Sequence, residues 1–339
     1  MAWGLLGLER PGELLSALLR SGRIPHALLF TGPAGGGKNS LARAFAAALN
    51  CAGPDPAAGP CGRCPSCRKI DRDIHPDLAT LTPGGASRII NLEAIEELRR
   101  KMAFRPFEGR SKVFIIREAD RLGPEAGQAL LKTLEEPPPD SAVLLTSTAE
   151  GGVMGTIRSR CLAVRLPPLA PALVLRTMAE KRGLTGPSAR LLAALSGGAL
   201  GPALAGDPEA AWARWLALNR IMAAADTPES LELAWSWVAE VAGDRDSWPE
   251  VLALLRLWWR QTFRLAALGR DDGEGPPPEP AQSLWAARLT PRLIARAGRA
   301  LDRLTDSLDR YLKPELALEN YWLTVLPAQA GAAERIVVI

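Results

Sequence analysis

Residues 26–38, HALLFTGPAGGGK, place a short apolar run directly before a glycine-rich loop, and SLARAFAAALN (40–50) follows with helical spacing. A buried strand that runs through a glycine loop into a helix is the arrangement of a phosphate-binding P-loop. Gly32, Gly37 and Lys38 fit its spacing, G-x-x-x-x-G-K. The glycines let backbone N–H groups approach phosphates, and the lysine neutralises their charge. The stretch therefore predicts a P-loop fold and a candidate nucleotide site.

The rest of the N-terminal half alternates between helix and strand patterns. The predicted elements are a helix at 12–20, strands at 77–83, 112–120 and 141–148, and helices at 91–104 and 124–136. Strands that alternate with helices predict a parallel, doubly wound α/β sheet.

The pattern changes at Pro167, and the rest of the chain is almost entirely helical, with LPPLAP (166–171) as a predicted hinge. Nine of the ten tryptophans lie between Trp212 and Trp322. We interpret them chiefly as the packing core of these helices, with a subunit interface as the alternative.

The 339-residue chain has the composition of a globular protein with several domains, at 47% hydrophobic and 23% charged residues. No apolar run reaches the roughly 18 residues that a membrane span requires, so we expect no membrane contact. The N-terminus, MAWGLLGLERPG (1–12), has no basic region ahead of its apolar residues, which indicates a cytoplasmic protein. The net charge of +4 permits contact with nucleic acid but does not predict it.

The residues after Lys38 depart from the pattern that holds magnesium. A hydrolysing P-loop supplies a hydroxyl at the next position, whereas Asn39 supplies an amide and Ser40 stands one residue late. An amide oxygen coordinates a hard cation such as magnesium less readily than the usual hydroxyl does. We therefore expect that the loop can bind ATP or ADP but does not hydrolyse it efficiently.

A second departure follows the apolar strand VFII (113–116). A P-loop ATPase ends this strand with an aspartate that supports magnesium, but Arg117 occupies the position and Glu118 follows. A positive charge beside a magnesium site repels the ion. Asp120 lies three residues further on and is the less favoured substitute.

Four cysteines, Cys51, Cys61, Cys64 and Cys67, have the spacing C-x9-C-x2-C-x2-C, while Cys161 stands alone. Four thiolates on such short loops can close a tetrahedral zinc site; disulfides and unbound thiols are the weaker alternatives. Because the four cysteines leave no ligand position open, we predict structural Zn2+ that stabilises a small insert by roughly 10 kcal/mol or more.

The segment IRSRC (157–161) follows the strand predicted at 141–148. An arginine at this place serves either the structure of its own chain or an ATP bound to a neighbouring subunit. The residue chemistry alone does not choose between the two.

Taken together, HALLFTGPAGGGK (26–38), the four-cysteine insert, QALLKTLEEPP (128–138) and SRC (159–161) resemble the clamp-loader subunits of bacterial DNA polymerase III, members of the AAA+ superfamily. The resemblance covers nearly all of residues 1–205. It implies an α/β AAA+ P-loop domain at 1–166 with the zinc insert at 51–67. It further implies a helical lid at 167–208 and an all-α collar at 209–339 that serves oligomerisation.

Hydrolysing members of this family, the gamma or tau subunits, keep a magnesium hydroxyl, an aspartate and a sensor arginine in the lid. The matching positions here are Asn39, Arg117 and Gly201. The chain therefore resembles the delta prime type, a stationary subunit that is not an ATPase by itself. The resemblance implies that Arg160 is an arginine finger supplied in trans, with Arg158 and Arg165 as alternatives.

The resemblance also implies partners. These are the gamma or tau motor subunits and the delta subunit in a hetero-pentamer, which loads the sliding clamp onto primed DNA. Zn2+ is then the structural cofactor, and ATP or ADP can be bound but is not required.

Two other functions remain open from the residues. One is an ATP-hydrolysing gamma or tau type of subunit whose irregular loop still works. The other is a zinc-dependent nucleic-acid-binding module, which does not explain the P-loop order. The basic residues Arg99, Arg100, Lys101 and Arg105 are interpreted as a solvated surface, with a DNA-facing surface as the alternative.

Overall fold

The computed structural model describes residues 2–84, 88–243, 247–271, 273, 275–309 and 313–326. The chain divides into two units, Met1–Ala170 with Gly198–Gly201, and Pro171–Gly197 with Pro202–Ile339. In the described part of the chain, no helix is both long enough and apolar enough to span a membrane.

The first unit is built on a five-stranded sheet in which every pair of neighbouring strands is parallel. The strands are β1 (Ala27–Thr31), β2 (Leu78–Leu81), β3 (Lys112–Ile116), β4 (Ser141–Ser147) and β5 (Leu162–Arg165), in the spatial order β2-β3-β4-β1-β5. The P-loop strand β1 therefore lies inside the sheet, between β4 and β5. The sequence reading predicted the other four strands but missed β5.

Helices cover both faces of this sheet. They are α1 (Glu9–Ser21), α2 (Lys38–Leu49), α3 (Pro65–Asp71), α4 (Leu92–Met102), α5 (Pro124–Glu135) and α6 (Gly155–Arg158). Since successive side chains of a strand point to opposite faces, Leu28 and Phe30 pack in one core with α1 and α2. Ala27 and Leu29 pack in the other core with α4 and α5. The sheet is doubly wound, which confirms the predicted α/β fold class.

From Pro171 onward the described chain contains only helices, which confirms the predicted helical C-terminal region. They are α7 (Pro171–Arg182), α8 (Gly186–Leu195), α9 (Leu200–Ala205), α10 (Pro208–Ala223), α11 (Glu229–Ala242), α12 (Trp248–Leu268), α13 (Pro280–Arg288), α14 (Pro291–Asp309) and α15 (Pro314–Val325). The division into a lid at 167–208 and a collar at 209–339 stays a prediction, and residues 327–339 lie outside the described part.

Tryptophans fill the core of the helical unit. Seven of the nine in this region are buried, and the four largest fully buried side chains are Trp215, Trp258, Trp259 and Trp322. Two of these indole N–H groups also join helices: the Nε1 of Trp259 donates to the hydroxyl of Tyr321 at 2.8 Å, and the Nε1 of Trp258 donates to Oδ1 of Asn219 at 2.8 Å. Packing is thus the main role of these side chains in this unit.

A buried carboxylate anchors the loop between α4 and β3. Asp77 is fully buried, and its oxygens accept hydrogen bonds from the backbone N–H groups of Phe107 (2.6 Å), Glu108 (2.9 Å) and Gly109 (2.8 Å). Burial acts to raise the pKa of Asp77, but these three hydrogen bonds prevail and the pKa is lowered. The loop is therefore fixed by a charge that must stay ionised.

We expect Asp77→Asn to lower the free energy of unfolding by about 2–4 kcal/mol, because an amide offers one acceptor oxygen and turns N–H groups toward backbone donors. The matched control is Asp71→Asn, an exposed position on α3, which should be nearly neutral.

The pH dependence has a defined sign. A carboxyl whose pKa is lower in the folded state stabilises the protein above its unfolded pKa of about 3.9, and this stabilisation is lost as the pH falls through the folded pKa. The difference in the free energy of unfolding between wild type and Asp77→Asn, measured by denaturant unfolding, should therefore decrease as the pH is lowered. A difference that stays constant down to the folded pKa would contradict the assigned role.

Candidate phosphate site and metal centre

The candidate phosphate site forms at the carboxyl ends of three neighbouring strands. The loop 32–37 connects β1 to α2, Arg117 follows β3, and Thr146 and Ser147 end β4. Ligands of open α/β sheets bind in the crevice outside these strand ends. The sheet therefore brings together residues that lie far apart in the sequence.

Two glycines permit the loop conformation. Gly32 passes so close to the next segment that a Cβ atom there would lie 2.4 Å from the carbonyl oxygen of Leu166. Gly37 has a φ of 86°, a left-handed conformation that strains other residues, and it occupies the N-cap position of α2. No side chain caps this helix end, so the N–H groups of its first turn point toward the loop without a side-chain acceptor.

Lys38 is folded into the loop. Its Nζ donates to the carbonyl oxygens of Gly32 (2.8 Å) and Pro33 (2.7 Å), and the residue is only 8% exposed. Burial lowers the pKa of Lys38, while the nearby carboxylates of Asp120 and Glu118 act to raise it. The ammonium group is thus held at the carbonyl oxygens that begin the loop.

Asn39 and Arg117 contact each other directly. With the Asn39 amide oriented so that both of its groups are satisfied, its oxygen accepts from Nε (2.9 Å) and Nη2 (3.1 Å) of Arg117. In the same orientation its nitrogen donates to the Thr146 hydroxyl at 3.1 Å. The Thr146 oxygen also accepts from the backbone N–H of Glu118 at 3.3 Å. The two residues that depart from the magnesium pattern therefore form one hydrogen-bonded unit.

Ser40 carries the hydroxyl one residue after the position that would hold magnesium, and it is exposed at the start of α2. Asp120 accepts a hydrogen bond from the Ser147 hydroxyl at 2.7 Å. Gly201, the position that the resemblance matches to the lid arginine, belongs to the same unit as the sheet, and its N–H donates to the carbonyl oxygen of Gly35 at 3.2 Å. The sequence reading missed the parts played by Thr146 and Ser147, although both end a strand that it predicted.

Arg160 lies at the end of the turn between α6 and β5. Its Nη2 forms an ion pair with Oε1 of Glu135 at 2.6 Å, and its Nη1 donates to the carbonyl oxygen of Thr156 at 3.1 Å. The side chain is 37% exposed. Glu135 belongs to the LEEPP stretch, so the ion pair joins two of the motifs that the sequence reading singled out. Arg165, in contrast, pairs with Glu150 at 2.8 Å.

The basic residues of α4 do not form a uniformly positive surface. Arg99 and Arg100 line a cavity of about 760 Å³ together with Lys132 and with the carboxylates of Glu96, Glu135 and Glu136. Lys101 pairs with Glu97 at 2.7 Å. Opposite charges therefore accompany the basic cluster.

The four predicted metal ligands come together after α2. The Sγ atoms of Cys51, Cys61, Cys64 and Cys67 all lie within 4.8 Å of one another, and those of Cys61 and Cys67 are 4.0 Å apart. A tetrahedral zinc ion with Zn–S bonds of about 2.3 Å places its sulfurs about 3.8 Å apart. The cluster has the size and the chemistry to hold a metal ion such as zinc.

Backbone N–H groups prepare these sulfurs for a metal. Hydrogen bonds from the backbone of Arg63 and Cys64 lower the pKa of Cys61 to about 6, so this thiol is ionised at neutral pH. Burial raises the pKa of Cys67, and a bound cation would favour its thiolate. Cys161 is separate: burial raises its pKa to about 12, which is typical of an unreactive thiol.

The first unit is similar to known proteins. A family model described as "DNA polymerase III, delta subunit" matches residues 8–170. The delta' subunit of DNA polymerase III from Pseudomonas aeruginosa is 39% identical over 150 residues, which cover 44% of this chain and 45% of that protein. Its counterpart from Bacillus subtilis is 33% identical over 181 residues, 53% of this chain and 54% of that protein.

The tau/gamma subunit of Haemophilus influenzae is similar to the same extent, at 38% identity over 165 residues, 49% of this chain and 23% of that protein. The chain thus spans about half the length, or less, of each of these relatives.

The metal centre can be tested with single cysteine changes. We expect purified wild-type protein to carry one zinc ion per chain, and Cys64→Ser to lose most of it and to melt at a lower temperature, because the insert depends on the ion for its folding energy. The matched control is Cys161→Ser, which lies outside the cluster and should keep the zinc. Zinc is measured by mass spectrometry of the metal and melting by circular dichroism. Full zinc content in Cys64→Ser would rule out this ligand set.

Proposed function

We propose that the chain is a delta prime type of subunit, because residues 8–170 belong to the clamp-loader family of DNA polymerase III subunits. In this role it does not hydrolyse ATP itself. It acts as a stator and supplies an arginine finger to ATP on a neighbouring subunit.

The contact between Asn39 and Arg117 carries the proposal. In a hydrolysing P-loop the position of Asn39 supplies a hydroxyl to magnesium, and the position of Arg117 supplies an aspartate. Here the guanidinium donates two hydrogen bonds to the Asn39 oxygen, which is the oxygen that would have to coordinate the ion. The Arg117 guanidinium therefore already occupies the Asn39 oxygen, and its positive charge repels a magnesium ion. Both features support a subunit without its own ATPase activity.

Gly201 supports the same proposal. The family's hydrolysing members carry a sensor arginine at this position of the lid. A Cβ atom at residue 201 would lie 3.1 Å from the carbonyl oxygen of Gly35, so a larger side chain would require the loop to shift. The close backbone contact between Gly201 and Gly35 therefore leaves no room for an arginine side chain at residue 201 in this conformation of the loop.

Arg160 has the properties of a finger supplied in trans. It is partly exposed, and its ion pair with Glu135 fixes the orientation of the guanidinium. Exposed ion pairs contribute only about 0–1 kcal/mol, so a phosphate of a neighbouring subunit can compete for the guanidinium at little cost. A trans arginine is typically worth about 10³ to 10⁵ in the rate of phosphoryl transfer.

The partners belong to the same proposal. We infer a cytoplasmic hetero-pentamer with gamma or tau motor subunits and a delta subunit, which loads the sliding clamp onto primed DNA. The four-cysteine insert holds Zn2+ as a structural cofactor in this assembly. With all four ligand positions taken by cysteine, the ion has no position for substrate.

The second candidate is an ATP-hydrolysing gamma or tau type of subunit. It is favoured by the similar identity of the chain to the tau/gamma subunit of Haemophilus influenzae, 38%, and to the delta' subunit of Pseudomonas aeruginosa, 39%. ATP turnover by the isolated chain, in the presence of primed DNA and clamp, separates the two. Appreciable turnover supports the second candidate and contradicts the first.

The finger role is tested by Arg160→Ala in the reconstituted complex. We expect the complex to assemble normally, as measured by its mass, while DNA-stimulated ATP turnover falls, because one ATP site loses the charge that stabilises its transition state. Arg158→Ala is the matched control, since Arg158 is also exposed and lies two residues away. Unchanged turnover in Arg160→Ala, or an equal loss in Arg158→Ala, would count against Arg160 as the finger.

A second test concerns the P-loop of this chain. We expect Lys38→Ala to change the turnover of the assembled complex very little, because this loop does not perform the chemistry. The same change in the P-loop lysine of a motor subunit serves as the positive control and should reduce turnover strongly. A large loss from Lys38→Ala at normal assembly would mean that this chain hydrolyses ATP.

A further inference from the structure

Within the described part of the chain, two cationic side chains at the P-loop form no ion pair with a carboxylate. Lys38 donates only to the carbonyl oxygens of Gly32 and Pro33, and Arg117 donates to the amide oxygen of Asn39. The ion pairs found among the described residues include neither side chain. Uncharged acceptors therefore satisfy the hydrogen bonds of both side chains, and Asp120 and Glu118 act on Lys38 through space without forming an ion pair with it.

The nearby carboxylates are engaged elsewhere. Asp120 accepts a hydrogen bond from the Ser147 hydroxyl, and Glu118 forms an ion pair with Arg88 at 3.3 Å. The first turn of α2 adds a partial positive charge, because its N-cap Gly37 supplies no side-chain acceptor for the free N–H groups. Three independent sources of positive potential therefore converge on the loop, and they match a polyanion.

We propose that this loop binds the phosphate chain of ADP or ATP without a divalent cation, and that Arg117 supplies the positive charge which magnesium supplies in hydrolysing P-loops. The reason lies in the ligand set. Magnesium demands near-ideal octahedral coordination by oxygens at about 2.0–2.1 Å. The Asn39 oxygen already accepts two N–H groups, and its partner is a cation. A guanidinium, in contrast, is planar and suited to bidentate contact with phosphate oxygens.

This inference does not rest on the stator role. It concerns the isolated chain, and it separates nucleotide binding from nucleotide hydrolysis. A nucleotide bound in this way would be a static ligand that fixes the loop, since the metal needed to activate the phosphoryl group is excluded. Its failure would leave the test of Arg160 unaffected, and failure of the finger role would leave this site untouched.

The experiment is a titration of the purified full chain with a fluorescent N-methylanthraniloyl derivative of ADP, followed by anisotropy. One titration contains excess magnesium chloride and the other excess EDTA with the ionic strength matched. The zinc content of the chain is measured after exposure to EDTA, which confirms that the structural metal is retained during the titration. Unlabelled ADP and ATP are then used as competitors. We expect saturable binding with the same dissociation constant in both conditions.

Variants identify the groups responsible. Arg117→Gln should weaken binding by about tenfold or more in both conditions, since it removes a charge-assisted phosphate contact, whereas Arg117→Lys should bind more tightly than Arg117→Gln. The matched control is Arg121→Gln, which removes the same charge from an exposed position in the same segment and should bind like wild type. Lys38→Ala should lose binding in both conditions. Melting curves and zinc content show that each variant is folded.

A double variant reverses the ligand set. Asn39→Thr with Arg117→Asp restores the residue types that hold magnesium, so its binding should become at least about tenfold tighter with magnesium than with EDTA. Three outcomes overturn the proposal: wild-type protein that binds no nucleotide in either condition, wild-type binding that disappears in EDTA, or folded Arg117→Gln protein that binds as wild type does.

Discussion

The structure depends on the enclosure of β1. This strand is hydrogen-bonded to β4 on one side and β5 on the other, and its two faces are covered by separate apolar cores. A segment as apolar as ALLF is stable only in such a place. Because the strand cannot shift by one residue without exchanging its two faces, the start of the glycine loop is fixed. The loop, the end of β3 and the end of β4 then meet at one edge.

The enclosed strands were predictable because both of their faces are buried, which gives a continuous apolar run. The residues VFII in β3 and ALLF in β1 show this pattern. The edge strand β5 was missed: LAVR has only four residues, and Val164 is its one buried side chain. The other edge strand, β2, is as short and has no buried side chain, yet it was predicted, so exposure alone does not explain the difference. The cysteine cluster was predictable because short loops determine its geometry locally. The contact between Asn39 and Arg117 was not, since it depends on the order of strands in the sheet. Sequence reasoning counted them as separate departures.

The ion pair between Arg160 and Glu135 shows a similar limit. The SRC and LEEPP stretches were recognised separately, yet their contact depends on how α5 and α6 pack on the same face of the sheet. Glu135 lies at the C-terminal end of α5, where the helix dipole disfavours an additional negative charge. Its pairing with an arginine relieves that conflict. A weak, solvent-exposed pair thus orients a long side chain that would otherwise sample many rotamers.

The bond between Asn39 and Arg117 has a further consequence for substitutions at these two positions. A hydroxyl introduced by Asn39→Thr alone would still face a guanidinium, and a carboxylate introduced by Arg117→Asp alone would still face an amide. Neither single substitution completes a magnesium site. For the non-hydrolysing subunit that we propose, the contact therefore couples the two positions, so that a magnesium site requires both residues to change together.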